Sequence, residues 1–369
     1  MSREPRVLHL IDSLGLGGAQ TVVKGIFEVQ KTNQNIFLFS LRERSVNFDV
    51  DHLNVIRFPS VKKFSLQPLN ALRQLIQQEN IEILHCHLFR SQVFGFLLKK
   101  LWFKKLKLVF HEHGEVFTQT PHYKFFLQAT QKSVDGYVAV SQATAGLLHG
   151  FGAIPERKIF TIYNFIQQDL FDQAPTRNEL LAVSDFSSLR STDFIVGFVG
   201  RLSEVKGCEY LIRSAMFLSK NVKIVIAGEG PLRNQLTQLV SSLGVADQIL
   251  FLGYVKNKQQ LYPVFDVLAL PSLSEACPMV VLESDLARVP VIGSRAPAID
   301  EFVHDGVNGL LFTPKDPKDL AHKIEFLRLH PERKQMLSEQ AFQFVQQFSV
   351  THFLEQLKEM YSNLYGDSE

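Results

Sequence analysis

The chain has 369 residues, 46% hydrophobic and 21% charged, with a mean hydropathy of +0.02; this exceeds the ~250 residues at which a single core stops growing and excludes a disordered polymer. Three scattered cysteines, Cys86, Cys208 and Cys277, argue against a disulfide framework and suit a reducing compartment. The net charge of +2 is unevenly spread, with 20 Lys+Arg against 12 Asp+Glu in residues 1–165 and 19 against 25 in residues 166–369. Only the first half is therefore expected to favour an anionic surface, and no nucleic-acid recognition motif accompanies it.

The opening MSREPRVLHLID lacks the apolar stretch of a secretory signal, and no window reaches the ~18 apolar residues of a spanning helix, so the expectation is a protein inside the cell. Short β-branched or aromatic runs then recur in chain order: RVLHLID, NIFLFSL, NVIRF, EILHCH, LVFHEH, GYVAVS and KIFTIYN, followed by FIVGFVG, KIVIAG, ILFLGYV, DVLALPS, PVIGS and NGLLF. Runs apolar along their whole length are what parallel strands buried on both faces look like, and the amphipathic stretches between them complete βα units. The alternation breaks where the chain turns polar, and the expected organisation is two doubly wound α/β domains, residues 1–168 and 193–348, joined by a linker at 169–192. A last segment, 349–369, has Phe353, Leu357, Tyr361 and Leu364 at helical spacing.

In open α/β sheets ligands lie beyond the carboxyl ends of the strands, which directs attention to the residues after each run. The first run ends in DSLGLGGAQTVV, where Gly15, Gly17 and Gly18 allow a tight turn and Ala19 and Gln20 open a helix whose first amides can hold an anion or hydroxyl; a turn with no ligand is the plain alternative. It is not a dinucleotide fingerprint, because Gln20 stands where GxGxxG needs glycine, and no GxxxxGK[ST] occurs. His85-x-His87 and His111-x-His113 place imidazoles on one side of two strand ends, so a metal hydrolase is an alternative reading, with packing histidines as the plainer one. A single Asp49-x-Asp51 pair is most simply chance. In residues 97–107, Lys99, Lys100, Lys104, Lys105 and Lys107 surround Leu101, Trp102 and Phe103, a pattern that suits an anionic bilayer surface and equally a helix end with solvated lysines.

In the second half, FVGRLSEVKGCEYLI sets Arg201 and Lys206 in a glycine-bracketed loop after a strand, a guanidinium and an ammonium suited to a diphosphate, against the bland reading of solvated charge. AGEGPLRNQL follows with Gly228, Gly230 and Pro231, and LGYVKN offers the Tyr254-Val255 backbone to a flat base. VLALPSLSEACP reads as a strand ending near Pro271, a loop holding Glu275 and a helix starting near Pro278, with Glu283 about a turn and a half inside it. One carboxylate on the loop and one on the helix can grip two hydroxyl-bearing parts of one ligand, while the amides at the helix start face a negative group.

The ordered set GRLSEVKG, IAGEGPL, LGYV, E-x7-E and DGVNGLL resembles the retaining glycosyltransferases of family four, also described as glycosyl transferases group 1, and GGAQ, HEHG, VAVSQAT and IYN are similar to weaker features of their first half. The resemblance implies a GT-B fold, two Rossmann-like domains with a C-terminal helix crossing back to the first, and an N-terminal domain that binds the acceptor. It implies a nucleotide-sugar donor, such as a UDP- or GDP-sugar, with no metal required and retention at the anomeric carbon. Arg201 and Lys206 then look like the pair on the donor diphosphate, Glu283 like the ribose glutamate, and Glu275 like the one near the donor sugar beside the amides of Cys277, Pro278 and Met279. Gly230, Tyr254 and Val255 fall in the donor site. His113 aligns with the histidine that contacts the transferred sugar, and Gly17 and Gly18 with the turn near the donor phosphates or acceptor.

The implied acceptor is a lipid-linked or cell-surface glycan precursor, as in polysaccharide or lipopolysaccharide synthesis, reached from the cytoplasmic membrane face. A glycan- or nucleotide-binding protein without turnover is a further alternative. The sequence departs from the pattern at Ala276-Cys277 in place of Gly-Phe, at Arg288 in place of a glycine, at Pro297-Ala298 in place of Gly-Gly, and at Phe165 and Gln167 after Tyr163-Asn164, which bears on donor identity more than on activity.

Overall fold

A computed structural model of the chain describes residues 4–15, 17–43, 50, 52–59, 65–114, 120–171 and 174–366. The Asp49-x-Asp51 pair lies outside the described residues. The chain divides into two compact units, one made of residues 1–165 and 350–369, the other of residues 166–349.

The first unit runs β1 (Val7–Ile11), α1 (Gly18–Val29), β2 (Ile36–Ser40), β3 (Val55–Arg57), α2 (Pro68–Gln78), β4 (Ile83–His87), α3 (Phe89–Leu101), β5 (Lys107–Glu112), α4 (Pro121–Thr130), β6 (Gly136–Ala139), α5 (Gln142–Gly150) and β7 (Ile159–Thr161). All seven apolar runs read from the first half form strands. They pair in parallel in the order β3-β2-β1-β4-β5-β6-β7. Side chains alternate across a strand, so Leu8 and Leu10 enter a core with Leu84, Leu108 and Phe110 on one face of the sheet. Val7 and Ile11 enter a second core with Ile83 and Val109 on the other. The C-terminal helix Val350–Gly366 joins this second core through Phe353, Leu357, Met360, Tyr361 and Leu364, the amphipathic stripe expected from its spacing. The last segment thus belongs to the first unit, as the crossing-back helix requires.

The second unit contains α6 (Arg177–Leu181), β8 (Phe194–Val199), α7 (Cys208–Ser214), β9 (Val222–Ala227), α8 (Arg233–Leu243), β10 (Ile249–Gly253), β11 (Val267–Leu270), α9 (Met279–Leu286), β12 (Val291–Ser294), β13 (Gly309–Phe312), α10 (Pro317–Leu329) and α11 (Pro331–Val345), which makes the terminal helix α12. Its six strands are parallel in the order β10-β9-β8-β11-β12-β13. In both sheets the chain winds outward from its first strand, then returns to the other side of it with the fourth. This is the dinucleotide-fold order, and it leaves a crevice between β1 and β4, and another between β8 and β11.

Residues 169–192, for which the sequence suggests a linker, group with the second unit. A capping box between Thr176 and Glu179 starts α6. Arg177 then bonds the Val264 carbonyl at 2.8 Å, Asp266 Oδ2 at 3.1 Å and the Asp193 carbonyl at 2.9 Å, anchoring the segment to the start of β8 and β11. Two glycine positions of the family pattern keep the backbone that glycine would supply. Arg288 has φ 58° and Ala298 φ 64°, a left-handed conformation costing non-glycine residues roughly 1 kcal/mol.

Candidate functional site

In the second unit, backbone hydrogen bonds lace the loops that leave the carboxyl ends of neighbouring strands. After β8, the Leu202 amide donates to the Glu229 carbonyl at 3.0 Å and the Leu232 amide to the Leu202 carbonyl at 3.1 Å, which ties the 200–207 loop to the one after β9. The Leu273 amide donates to the Val205 carbonyl at 2.7 Å, tying it to the loop after β11, and the Gly228 amide to the Gly253 carbonyl at 2.7 Å, which brings in the loop of Tyr254 and Val255. Such close backbone contact needs glycine. A Cβ on Gly230 would sit 2.3 Å from the Leu202 carbonyl oxygen, and one on Gly207, itself at φ 58°, would sit 2.1 Å from that of Pro271. Gly230 is thus a packing element of this floor.

On it, Lys206 and Glu275 meet. The Lys206 ammonium lies 2.6 Å and 2.7 Å from the two carboxylate oxygens, and the Ser272 hydroxyl donates to Oε1 at 2.7 Å. The Glu275 side chain is 8% exposed and that of Lys206 29%, so the carboxylate is fixed while the ammonium reaches solvent. Arg201, one residue beyond the end of the strand-loop turn, is exposed, and its guanidinium makes no ion pair among the described residues. Lys206 and Glu275, placed in one constellation by the structure, flank the β8/β11 crevice from the loops on either side of it.

Glu283 sits elsewhere in the lining, on α9. It is 4% exposed, accepts the Tyr262 hydroxyl at 2.6 Å through Oε2 and pairs with the Lys258 ammonium at 2.6 Å through Oε1. Each carboxylate oxygen retains a lone pair for a further donor. Helix α9 begins at Met279, one residue after Pro278, so Cys277, Pro278 and Met279 form its entry as the sequence suggests. Two residues along from Glu283, Asp285 is 1% exposed with neither carboxylate oxygen hydrogen-bonded among the described residues, and burial pushes its carboxyl well above the usual range. Lys258 and Tyr262 were not foreseen. They lie in a run, KNKQQLYPV, whose three-residue turns have neither the alternation of a strand nor the stripe of an α-helix.

In the first unit, Gly17 and Gly18 are exposed at the start of α1. Gly17 is extended, at φ 161°, a backbone open to any residue, but a Cβ there would come within 2.3 Å of the Gln20 side-chain oxygen; a Cβ on Gly18 would meet nothing within 4 Å, so open space lies beside Gly18 alone. Deeper in the β1/β4 crevice lies a cluster of five imidazoles. Residues 9, 85, 87, 111 and 113 share the parity that faces α1 and α12, and register sets His9 beside His85 and His87 beside His111. Three contacts join them in part and a fourth ties His85 to α12. His9 Nδ1 is 3.0 Å from His87 Nε2, His87 Nδ1 2.8 Å from His113 Nε2, His85 Nε2 3.1 Å from His111 Nδ1, and His85 Nδ1 2.5 Å from the Tyr361 hydroxyl.

Burial drives His9 and His113 down to about 3, and burial with neighbouring imidazoles drives His85, His87 and His111 well below the ordinary value, so the cluster is neutral. His9, whose place in the middle of the first apolar run was a readable signal, was missed. On the other face of the same strand, burial raises the Glu112 carboxyl to about 7, against the opposing bonds from Tyr123 and Gln92. Asp12, at the end of β1, is gripped by Arg42 at 2.6 Å and Arg90 at 2.9 Å.

The basic aromatic stretch spans the end of α3, a turn, and the start of β5. Leu101 is 59% exposed, Trp102 40% exposed, and Lys104 and Lys105 lie open beside them; Lys99 instead pairs with Asp135. Among the described residues, no helix is long and apolar enough to cross a membrane.

Two families match the chain in succession, "Glycosyltransferase Family 4" over residues 17–170 and "Glycosyl transferases group 1" over residues 183–344. An uncharacterized glycosyltransferase of Methanocaldococcus jannaschii is 35% identical over 175 residues, 46% of this chain and 45% of that protein, so this match spans about half of either. The N-acetyl-alpha-D-glucosaminyl L-malate synthase of Bacillus anthracis is 24% identical over 93% of this chain and 88% of its own length. Among solved structures, Anabaena HepE in complex with UDP superposes with a TM-score of 0.83 at 22% identity, covering 97% of this chain and all of that one.

Proposed function

The chain belongs to the family four glycosyltransferases, GT-B enzymes that use a nucleotide-sugar donor, and we propose that it transfers a hexosyl group from a UDP- or GDP-sugar to a hydroxyl acceptor with retention of anomeric configuration. The observation that carries this reading is the Lys206–Glu275 pair beside the β8/β11 crevice, with Arg201 exposed on the same loop as Lys206. A departing nucleoside diphosphate concentrates negative charge that two cations offset without a divalent ion. Glu275, held rigid by Ser272, faces the donor sugar; Glu283 keeps acceptor capacity for ribose hydroxyls; Tyr254 and Val255 line the base; the Cys277–Met279 entry and Gly230 receive the phosphates. His113 contacts the transferred sugar, and Gly17 and Gly18 stand near the donor phosphates or the acceptor in the first unit, with open space beside Gly18.

The acceptor in this reading is a lipid-linked or cell-surface glycan precursor. It is met at the cytoplasmic membrane face, where the exposed Leu101, Trp102, Lys104 and Lys105 supply the apolar and basic contacts of peripheral attachment. The hydrolase and the non-catalytic readings give way to the family membership.

The test is a thermal-shift screen of UDP- and GDP-sugars, followed by transfer assays with the stabilising donor and NMR of the product anomer. Loss of Arg201 or Glu283 to alanine removes charge-assisted hydrogen bonds of ~1.5–3 kcal/mol each, so kcat/KM falls by at least ~10-fold and up to ~100-fold while the circular dichroism spectrum is kept. Inverted product, or normal turnover in Arg201→Ala, refutes the proposal.

A further inference from the structure

The imidazole cluster is more polar than a core needs. The face of the first sheet that carries it is otherwise built from Val7, Ile11, Ile83, Val109 and Val138, and five rings among them are kept only if their nitrogens are used. Proton counting shows where that use fails. A neutral imidazole has one N–H and one lone pair, so each of the four linking contacts takes a single proton. His111 Nε2 and His113 Nδ1 remain buried with no partner among the described residues, and His111 is 0% exposed.

We propose that His87, His111 and His113 form a three-imidazole site for a borderline divalent cation of the zinc class, with His9 and the His85–Tyr361 pair holding two of the ligands from behind. Each of the three can offer a ring nitrogen within 4.8 Å of the other two. With a cation bound, His87 Nε2–H donates to His9 Nδ1, His111 Nδ1–H to His85 Nε2, and His85 Nδ1–H to the Tyr361 oxygen; the lone pairs of His87 Nδ1, His111 Nε2 and His113 Nε2 then point to the metal. That is the arrangement of metal-bound histidines, which donate their other N–H to a fixed acceptor. It uses the orphaned His111 nitrogen. His113 keeps Nδ1–H as a donor with a fixed tautomer.

Tetrahedral zinc with bonds of about 2.0 Å separates its ligand nitrogens by about 3.3 Å, and an imidazole binds in its ring plane, so His113, 2.8 Å from His87 and stacked on His111 with centroids 3.9 Å and planes 17° apart, must swing out of that stack for the lone pairs to meet one ion. His113 stands just past β5 and is only partly buried, so it has room to do so and gives the ion its way in. Three neutral ligands leave a fourth position open. The site also ties α12 to the sheet, through Tyr361, His85 and His111 in series.

The full chain, stripped with a chelator and dialysed, is titrated with Co²⁺ and then Zn²⁺ in the absence of any nucleotide sugar, so the result is independent of the transferase reading. The expected result is one Co²⁺ per chain with the visible absorption of a four-coordinate ion, displacement by Zn²⁺, and a Zn²⁺-dependent rise in Tm. His113→Gln, the replacement least able to disturb the sheet, lowers affinity ~100-fold, Tyr361→Phe lowers it ~10-fold as loss of an outer partner does, and His330→Gln, exposed in the other unit, leaves it unchanged. Absence of the absorption band, substoichiometric uptake, or equal uptake by His113→Gln overturns the site and leaves a hydrogen-bonded packing cluster.

Discussion

Glu275→Gln is expected to bind a free nucleoside diphosphate more tightly than the wild type while transferring sugar more slowly. The ammonium of Lys206 rests on both oxygens of a carboxylate that is 8% exposed. At about 2.7 Å and an effective dielectric of about 20, that attraction is ~6 kcal/mol before the desolvation of the two ions is taken off, and most of it is offset by that desolvation. A diphosphate entering the crevice must draw the same ammonium away, and it also meets the carboxylate's own negative charge. Glutamine keeps the carbonyl oxygen that Ser272 bonds, so the loop stays in place, but it releases the ammonium and removes the repulsion.

If ~1–2 kcal/mol of the attraction survives, affinity for UDP or GDP, whichever protects the protein in the thermal screen, rises ~5- to 30-fold. Turnover falls, because the group facing the donor sugar has lost its charge. Isothermal titration measures the first effect and initial rates the second. Lys206→Met closes the cycle: it weakens diphosphate binding, and adding Glu275→Gln to it recovers little. Equal or weaker diphosphate binding by Glu275→Gln refutes the reasoning, since the carboxylate would then not be competing for Lys206.

Two further expectations concern the walls of the same site. Burial holds the Asp285 carboxyl well above its ordinary value in the folded chain and not in the unfolded one, so between pH 3.8 and its raised value folding retains a proton that unfolding releases. Stability from this group is present at acid pH and is lost, at up to about 1.4 kcal/mol per pH unit, as pH rises toward its raised value; Asp285→Asn does not titrate, so urea unfolding followed upward from roughly pH 4 should show the variant gaining on the wild type, and parallel curves would refute it. Gly207→Ala drives a Cβ onto the Pro271 carbonyl beside Lys206. A loss of ~2–4 kcal/mol, read as a lower Tm together with weaker donor protection, is expected, and an unchanged Tm would mean that the loop floor is not rigid.

Much of the architecture was legible because parallel strands are covered on both faces, and full coverage writes an uninterrupted apolar run. Each of the thirteen runs became a strand. The segment 169–192 was not legible, since α6 is five residues long and the segment is held by a few scattered buried side chains, Leu180, Phe186 and Leu189, and by one arginine reaching carbonyls some 16 to 87 residues away. Side-chain partnerships across sequence were equally silent. Nothing in KNKQQLYPV announces that Lys258 and Tyr262 will close on Glu283, because that meeting is made by the packing of α9 against a stretch with no periodicity of its own. Departures from the family's glycines say less than they first suggest. Arg288 and Ala298 hold the left-handed backbone anyway, at a small energetic cost that the surrounding packing absorbs.

The charge asymmetry of the chain would, taken alone, assign an anionic ligand to the first half, against the reading proposed above. Residues 166–369 carry the acidic excess, 25 Asp+Glu against 19 Lys+Arg, yet Arg201 and Lys206 stand there, at the mouth of the crevice; the basic first half fills the equivalent crevice with neutral imidazoles. Topology resolves this where net charge cannot. A doubly wound sheet opens its crevice between the first and fourth strands, so a ligand meets only the few groups on the loops that flank that gap, and charges elsewhere on the domain are screened within about 8–10 Å. For a diphosphate, one guanidinium and one ammonium at that place outweigh a dispersed surplus of carboxylates. For a sugar hydroxyl, a rigid neutral donor such as an imidazole N–H is the better contact, because it orients the oxygen without bringing a charge of its own.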